Sequence, residues 1–260
     1  YVTLLGIHDS QEDADTVKIR EVNGIKIGMV CYTYSDGFSQ NGYPLLNYNE
    51  VGENGILNYF TYDKLPEFYT QLQGYLDEMK AAGAEATVVY LHWGEEYKWK
   101  TGEGPNANQT AMAQKLCDMG VDVIVGGHPH VVQPVDLLTS GTDAEHKTIV
   151  LYSMGNAVSN QRIAEMNLKT GHTEDGMLFS FTLNKYADGT VELEDANILP
   201  CWVDLRTTNG KQYVIIPLDA ALQSQWQTTF GLTDEAYENA IKSYDRTQAL
   251  VGTGIAQVQE

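Results

Sequence analysis

Apolar and polar positions along the chain change period several times, and each change marks an element. Residues 16–22 and 25–32 are β-rich runs on either side of Asn23-Gly24, which predicts a hairpin closed by a type I′ turn. Residues 36–63 are rich in Gly, Asn and Tyr and show little periodicity, so they read as a long surface excursion and a candidate lid. From 65 to 82 the apolar residues Leu65, Phe68, Leu72, Tyr75, Leu76 and Met79 recur at helical spacing and stop at Gly83. A strand is predicted at 85–91, a helix at 108–119 closed by Gly120, and a strand at 121–125. Beyond 131 the chain is strand-rich, at 131–138, 147–153, 176–184, 190–198, 201–205 and 212–216, with a polar loop at 156–175. Residues 233–248 read as a helix with Thr233 as N-cap.

The first half therefore alternates β-α-β-α-β, the mark of an α/β fold whose sheet carries helices on its faces. In such sheets ligands gather beyond the carboxyl ends of the strands. Two apolar runs end in histidine there: 86–91 leads into His92, and 121–125 leads through Gly126-Gly127 into His128-Pro129-His130. Side chains two apart in an extended segment point the same way. Pro129 biases His128 toward an extended backbone, and the glycines permit a sharp turn and close backbone approach. His92, His128 and His130 are accordingly candidate metal ligands, the bland alternative being histidines that hydrogen-bond to backbone. Imidazoles suit Zn, Mn or Fe better than Mg or Ca. A two-metal centre also calls for carboxylates, one of them bridging, and no obvious carboxylate lies beside these histidines.

Length and composition narrow the function classes. A chain of 260 residues can bury a substantial core, as one large domain or two small ones. No stretch approaches the roughly 20 apolar residues of a membrane span. Sixteen Lys and Arg against 35 Asp and Glu give a net charge of −19, which argues against nucleic acid or an anionic membrane as a steered partner. Cys31, Cys117 and Cys201 are odd in number and far apart, so buried small hydrophobes are expected rather than a disulfide. The chain begins at Tyr1, and an upstream signal or anchoring segment is expected, consistent with an exported protein at the cell surface or tethered to the membrane.

Trp93, Glu95, Glu96, Tyr97, Lys98 and Trp99 form a dense polar-aromatic cluster after His92. Two readings stay open for it: the mouth of a cleft that holds a polymer, or a loop whose aromatics fold back on the core. Asn156, at the end of Tyr152-Ser-Met-Gly-Asn156, either faces the same cleft or caps a turn. Gly6-Ile7-His8-Asp9 resembles the Gly-Asn-His-Asp loop of metallophosphoesterases by eye. It lacks a preceding apolar strand and is read as coincidence. There is no P-loop, no Gly-x-Ser-x-Gly and no Cys/His nucleophile pattern.

Taken together, Val22-Asn-Gly-Ile-Lys-Ile27 with Tyr32-Thr33, His92-Trp-Gly-Glu-Glu-Tyr97, Gln109 through Gly120-Val-Asp122, Gly127-His-Pro-His-Val-Val-Gln-Pro134 and Tyr152-Ser-Met-Gly-Asn156 resemble the CapA-type bacterial capsule synthesis (PGA-cap) family, associated with poly-γ-glutamate. The order and spacing agree across about residues 15–160. The resemblance implies a metallophosphatase-like α/β sandwich of two mixed β-sheets flanked by helices. It implies one domain over 1–260, with a strand-rich part at 161–217 and a helical segment at 218–260. It implies that His92, His128 and His130 are metal ligands, in the full-length protein for two ions of Mn, Zn or Fe. It places Gln109, Glu96 and Asn156 at or near the cleft, the last two as candidate catalytic residues. The partners it implies are an anionic envelope polymer or other capsule-synthesis components. The family also carries an aspartate-bearing strand and an Asn-Asn-His loop upstream of the matched part, so this chain is expected to be N-terminally incomplete and to bind metal weakly or not at all. An enzyme and a non-catalytic polymer-binding component are both compatible with the resemblance.

Overall fold

The computed structural model describes residues 3–100 and 103–259. The predicted hairpin is β1 (Lys18–Val22) paired antiparallel with β2 (Ile25–Tyr34). Asn23 and Gly24 sit at φ 51° and 83°, the left-handed pair that a type I′ turn requires. Next come α1 (Leu65–Ala81), β3 (Ala86–His92), α2 (Ala107–Asp118), β4 (Val123–Gly127), β5 (Val135–Thr139) and β6 (Lys147–Leu151). They build a mixed sheet in the order β5-β6-β4-β3-β2-β1. Its centre, β6-β4-β3-β2, is parallel.

Both faces of this sheet are covered, which is why its central strands are apolar without a polar-apolar alternation. Val30, Tyr32, Val89, Leu91, Ile124 and Val150 face outward, in one cluster with Phe68, Leu72, Leu76 and Met79 of α1 and Met112 and Leu116 of α2. Val88, Val123, Ile149 and Leu151 face the other way. They meet Met177, Phe179, Phe181 and Ala196 of a second sheet. That sheet is β7 (Asp175–Lys185), β8 (Val191–Arg206) and β9 (Gln212–Pro217). Two facing sheets with helices on the outside match the expected α/β class. The smaller sheet is antiparallel throughout, because its strands follow one another through short turns.

Boundaries differ from the pattern in several places. The strand expected at 131–138 begins only at Val135, and the one expected at 121–125 is shifted to Val123–Gly127. The segments 190–198 and 201–205 are one strand, β8, that runs through Pro200. The ladder to β9 begins at Cys201, so the N–H that Pro200 lacks is not missed there. The last helix, α3 (Asp234–Gln259), starts behind Thr233, whose Oγ1 accepts from Ala236 N at 3.2 Å, but runs well past residue 248. In the fold a Cβ at Gly254 would lie 1.7 Å from the Val135 carbonyl, so the glycine lets α3 pack on β5. The 36–63 excursion is not wholly superficial either: Tyr59–Phe60 pairs with the end of β2, and Phe60 is buried in the core. All three cysteines are free, with Cys117 and Cys201 buried and Cys31 half-buried. Among the described residues no helix is long and apolar enough to cross a membrane.

Candidate functional site

Strands β3 and β4 are neighbours in register, with His92 opposite Gly127, so both histidine runs end at one carboxyl edge of the sheet. The ring centroids of His92 and His128 are 4.5 Å apart, and those of His128 and His130 are 6.4 Å apart. The tertiary fold thus brings together the three histidines that the sequence proposes. Their backbone is not the extended one expected from Pro129. His128 has φ 99° and His130 φ 56°, and Tyr97, across from them, has φ 63°. Non-glycine residues in this region are strained, and such strain collects at functional sites. The surroundings hold it in place. Tyr97 N donates to Pro129 O at 2.7 Å, and Asn156 Nδ2 donates to His130 O at 3.1 Å. These tertiary bonds override the local preference set by Pro129.

Behind the histidines, Trp93 is fully buried and its Nε1 donates to Tyr152 O at 2.9 Å. Gly126 lies against this contact. A Cβ there would sit 2.1 Å from Tyr152 O and 2.5 Å from Trp93 Nε1. The polar-aromatic cluster therefore divides. Trp93 folds into the core, whereas Tyr97 stacks on His130 with centroids 6.0 Å apart and Trp99 stacks on His172 at 4.5 Å. Glu96 is exposed beside His130, its Oε1 3.9 Å from Nε2. At that distance, with both groups open to solvent, the pair interacts only weakly.

Asn156 occupies the centre of a polar network. Its Nδ2 is within hydrogen-bond reach of three oxygens: His130 O at 3.1 Å, Gln161 Oε1 at 3.0 Å and Thr173 O at 3.0 Å. That leaves Oδ1 to face Nδ1 of His130 at 2.9 Å. Because Oδ1 can only accept, Nδ1 of His130 is the donor, so in the neutral ring the proton sits on Nδ1 and the lone pair on Nε2.

Gln109 does not open on the cleft. It is fully buried, and it closes a capping box with Asn106 at the start of α2. Its Nε2 donates to Gln133 Oε1 at 2.9 Å, and Gln133 Nε2 donates to Lys98 O at 2.7 Å. This buried relay fixes the loop that carries Glu96 and Tyr97. Three further residues act here that the sequence did not single out: Gln133; Gln161, which donates to Tyr97 Oη at 3.2 Å; and Tyr62, which accepts from Gly94 N at 3.1 Å. Only Gln133 left a trace, as a polar residue inside the apolar run Val131-Val-Gln-Pro-Val135. His8 of the Gly6-Ile7-His8-Asp9 segment bonds to Asp13 through Nδ1 at 2.9 Å.

His92 reaches solvent on the floor of a largely apolar hollow of about 460 Å³, which it lines with Cys31, Thr33, Leu46 and Leu57. Its ring is crowded all the same. Partial burial, and then the neighbouring His128 and His130, push its pKa down to about 4. Burial likewise lowers His128. Both are neutral at physiological pH, the state in which imidazole offers a lone pair. The donor types fit a first-row transition ion, but the set does not close. Among the described residues no three His, Cys, Asp or Glu side chains converge enough to hold a metal ion.

The chain is 33% identical over 115 residues to the PGA biosynthesis protein CapA of Bacillus subtilis (strain 168), covering 44% of this chain and 26% of that protein. It is 27% identical over 194 residues to the capsule biosynthesis protein CapA of Bacillus anthracis, covering 75% of this chain and 40% of that protein. The chain thus spans well under half the length of either relative. A solved structure, the calcineurin-like phosphoesterase YfkN from Bacillus subtilis, aligns with 87% of this chain and 57% of that chain at 15% identity and a TM-score of 0.35. The family described as bacterial capsule synthesis protein PGA_cap matches residues 2–161, more than half of the sequence and all three site histidines, and the chain belongs to that family.

Proposed function

We propose that the intact protein is a metal-dependent hydrolase of the phosphoesterase type, exported and working in capsule biosynthesis at the cell envelope. The observation that carries this reading is the meeting of His92, His128 and His130 at one strand edge, with His130 turned by Asn156 to offer Nε2. In this reading the chain supplies the imidazole wall of a two-ion site for Mn, Zn or Fe. Among the described residues the donor set is not completed into a metal-binding group. A bound transition ion brings Lewis acidity to such a site. The chain's own residues hold and orient the donors: Asn156 sets the His130 tautomer, and Trp93, Gln109 and Gln133 brace the loops. In this reading Glu96, exposed beside His130, is the candidate proton-transfer group.

The test is metal analysis of the intact protein together with a phosphoester hydrolysis assay. Stoichiometric transition metal, and activity lost in His128→Ala, support the reading. Absence of metal, with activity unchanged in that variant, overturns it.

A second reading is a non-catalytic component that binds an anionic capsule polymer such as poly-γ-glutamate. It draws support from the unclosed donor set. Lys98 and Lys100 flank Trp99, with Lys100 Nζ 5.7 Å from the Trp99 ring, but Glu95, Glu96 and Glu103 lie on the same loop, so an anionic polymer would have to be met by these two lysines against an acidic background. Polymer binding that survives chelation, without turnover, favours this reading.

A further inference from the structure

The buried carboxylate of Asp175 links the candidate site to the C-terminal helix. Ser243 Oγ of α3 donates to Asp175 Oδ1 at 2.6 Å. Arg246, one turn on, donates from Nε to Oδ2 at 2.8 Å and from Nη2 to Oδ1 at 2.7 Å, a bidentate clamp. The same Nη2 reaches Gly171 O at 3.2 Å. Asp175 is 1% exposed and Ser243 is fully buried, so these bonds form away from water and fix the turn from 171 to 175 in one position.

That turn is the other wall of the Asn156 network. Asn156 N donates to Asp175 O at 3.0 Å, and Asn156 Nδ2 donates to Thr173 O. Gly155 and Gly176 form a bridge beside them, and Met177 N donates to Met154 O at 3.1 Å. The backbone and the side-chain amide of Asn156 are therefore both oriented by carbonyls of a turn that α3 holds. Asn156 in turn orients His130.

We propose that Ser243 and Arg246 are positioning residues for His130, acting through Asp175 and Asn156, so that the C-terminal helix is part of the site's supporting structure. All four of Thr173, Asp175, Ser243 and Arg246 lie beyond the stretch matched by the family. The inference rests on reading His130 as a site residue, but its test does not depend on metal or turnover.

The competing account is that the Asp175–Arg246 pair only ties α3 to the sheet. Long-range nitrogen NMR of the 260-residue chain labelled at histidine reports which ring nitrogen of His130 is protonated. Hydrogen exchange reports the Asn156 amide. In the wild type His130 is expected as a single Nδ1–H tautomer with a protected Asn156 amide. Ser243→Ala, which leaves the arginine clamp in place, is expected to mix the two His130 tautomers and to speed Asn156 exchange by about tenfold. Arg246→Lys, which cannot keep the bidentate geometry, should do so more strongly. His146, whose Nε2 is bonded to Val121 O at 3.1 Å far along the chain, serves as the control and should not change. A folded Ser243→Ala protein that keeps one His130 tautomer and an equally protected Asn156 amide overturns the proposal, whether or not Arg246→Lys folds. Failure of the hydrolase reading would show instead as missing metal or activity, with the tautomer coupling intact.

Discussion

Nδ1 of His130 lies 2.9 Å from Oδ1 of Asn156, and the other face of that amide is committed to three oxygens. The amide therefore cannot turn over without setting its oxygen against carbonyls, and the histidine tautomer is fixed by the fold. Partners that orient a ligating histidine typically govern 10–100-fold in metal affinity. Asn156→Ala in the intact protein should weaken transition-metal binding by about that factor, as measured by competition with a chelator. Unchanged affinity would falsify the orienting role.

The Gln109–Gln133–Lys98 relay is buried, so breaking it leaves polar groups without partners. Gln133→Ala strands Gln109 Nε2 and Lys98 O, and should cost about 1–3 kcal/mol in urea unfolding. Combined with Gln109→Ala, the losses should add to less than their sum, because the second substitution removes one of the stranded groups. Full additivity would mean that the two amides do not act together.

Gly126 and Gly127 look alike in the sequence but not in the fold. Gly126→Ala forces a methyl against Tyr152 O and Trp93 Nε1, and should cost about 1–3 kcal/mol. A Cβ at Gly127 meets nothing within 4 Å, and Gly127→Ala should stay within about 0.5 kcal/mol. Thermal unfolding of the two variants side by side decides it; equal losses contradict the packing described.

Burial, and then the Arg246 charge, push the pKa of His172 down to about 4, and its ring lies stacked on Trp99. A histidine with a depressed folded pKa binds fewer protons folded than unfolded. Its contribution to stability is present above the unfolded value near 6.5 and declines as pH falls toward 4. His92 acts with the same sign. The urea midpoint should thus drop between pH 6.5 and 4, and His172→Asn should reduce that drop without abolishing it. An unaltered acid slope in the variant would remove His172 from the explanation.

Much of the architecture was legible because it rests on local chemistry. Asn23-Gly24 dictates its turn, the apolar spacing of Leu65 to Met79 dictates α1, and the unbroken apolar runs before His92 and Gly126 dictate strands buried on both faces. Where the reading slipped, a distant contact outweighed a local rule. Pro200 stays within a strand because β9 pairs only beyond it, and Gly254 stays within a helix because β5 approaches there. His128 leaves the extended region because its neighbours are tied to Tyr97 and Asn156.

The candidate site divides along the same line. The sequence alone named the candidate residues: two histidine-terminated strands and a Gly-Asn turn, since imidazoles at strand ends are a matter of residue type and order. Tertiary structure alone decided how they are used. It set the His130 tautomer, placed Gln109 behind the cleft rather than in it, and coupled Asp175 to Arg246 across 71 positions. The physical reason is that hydrogen bonds and burial depend on which groups meet in space, and a buried amide or carboxylate acquires its partner only when separate elements close around it.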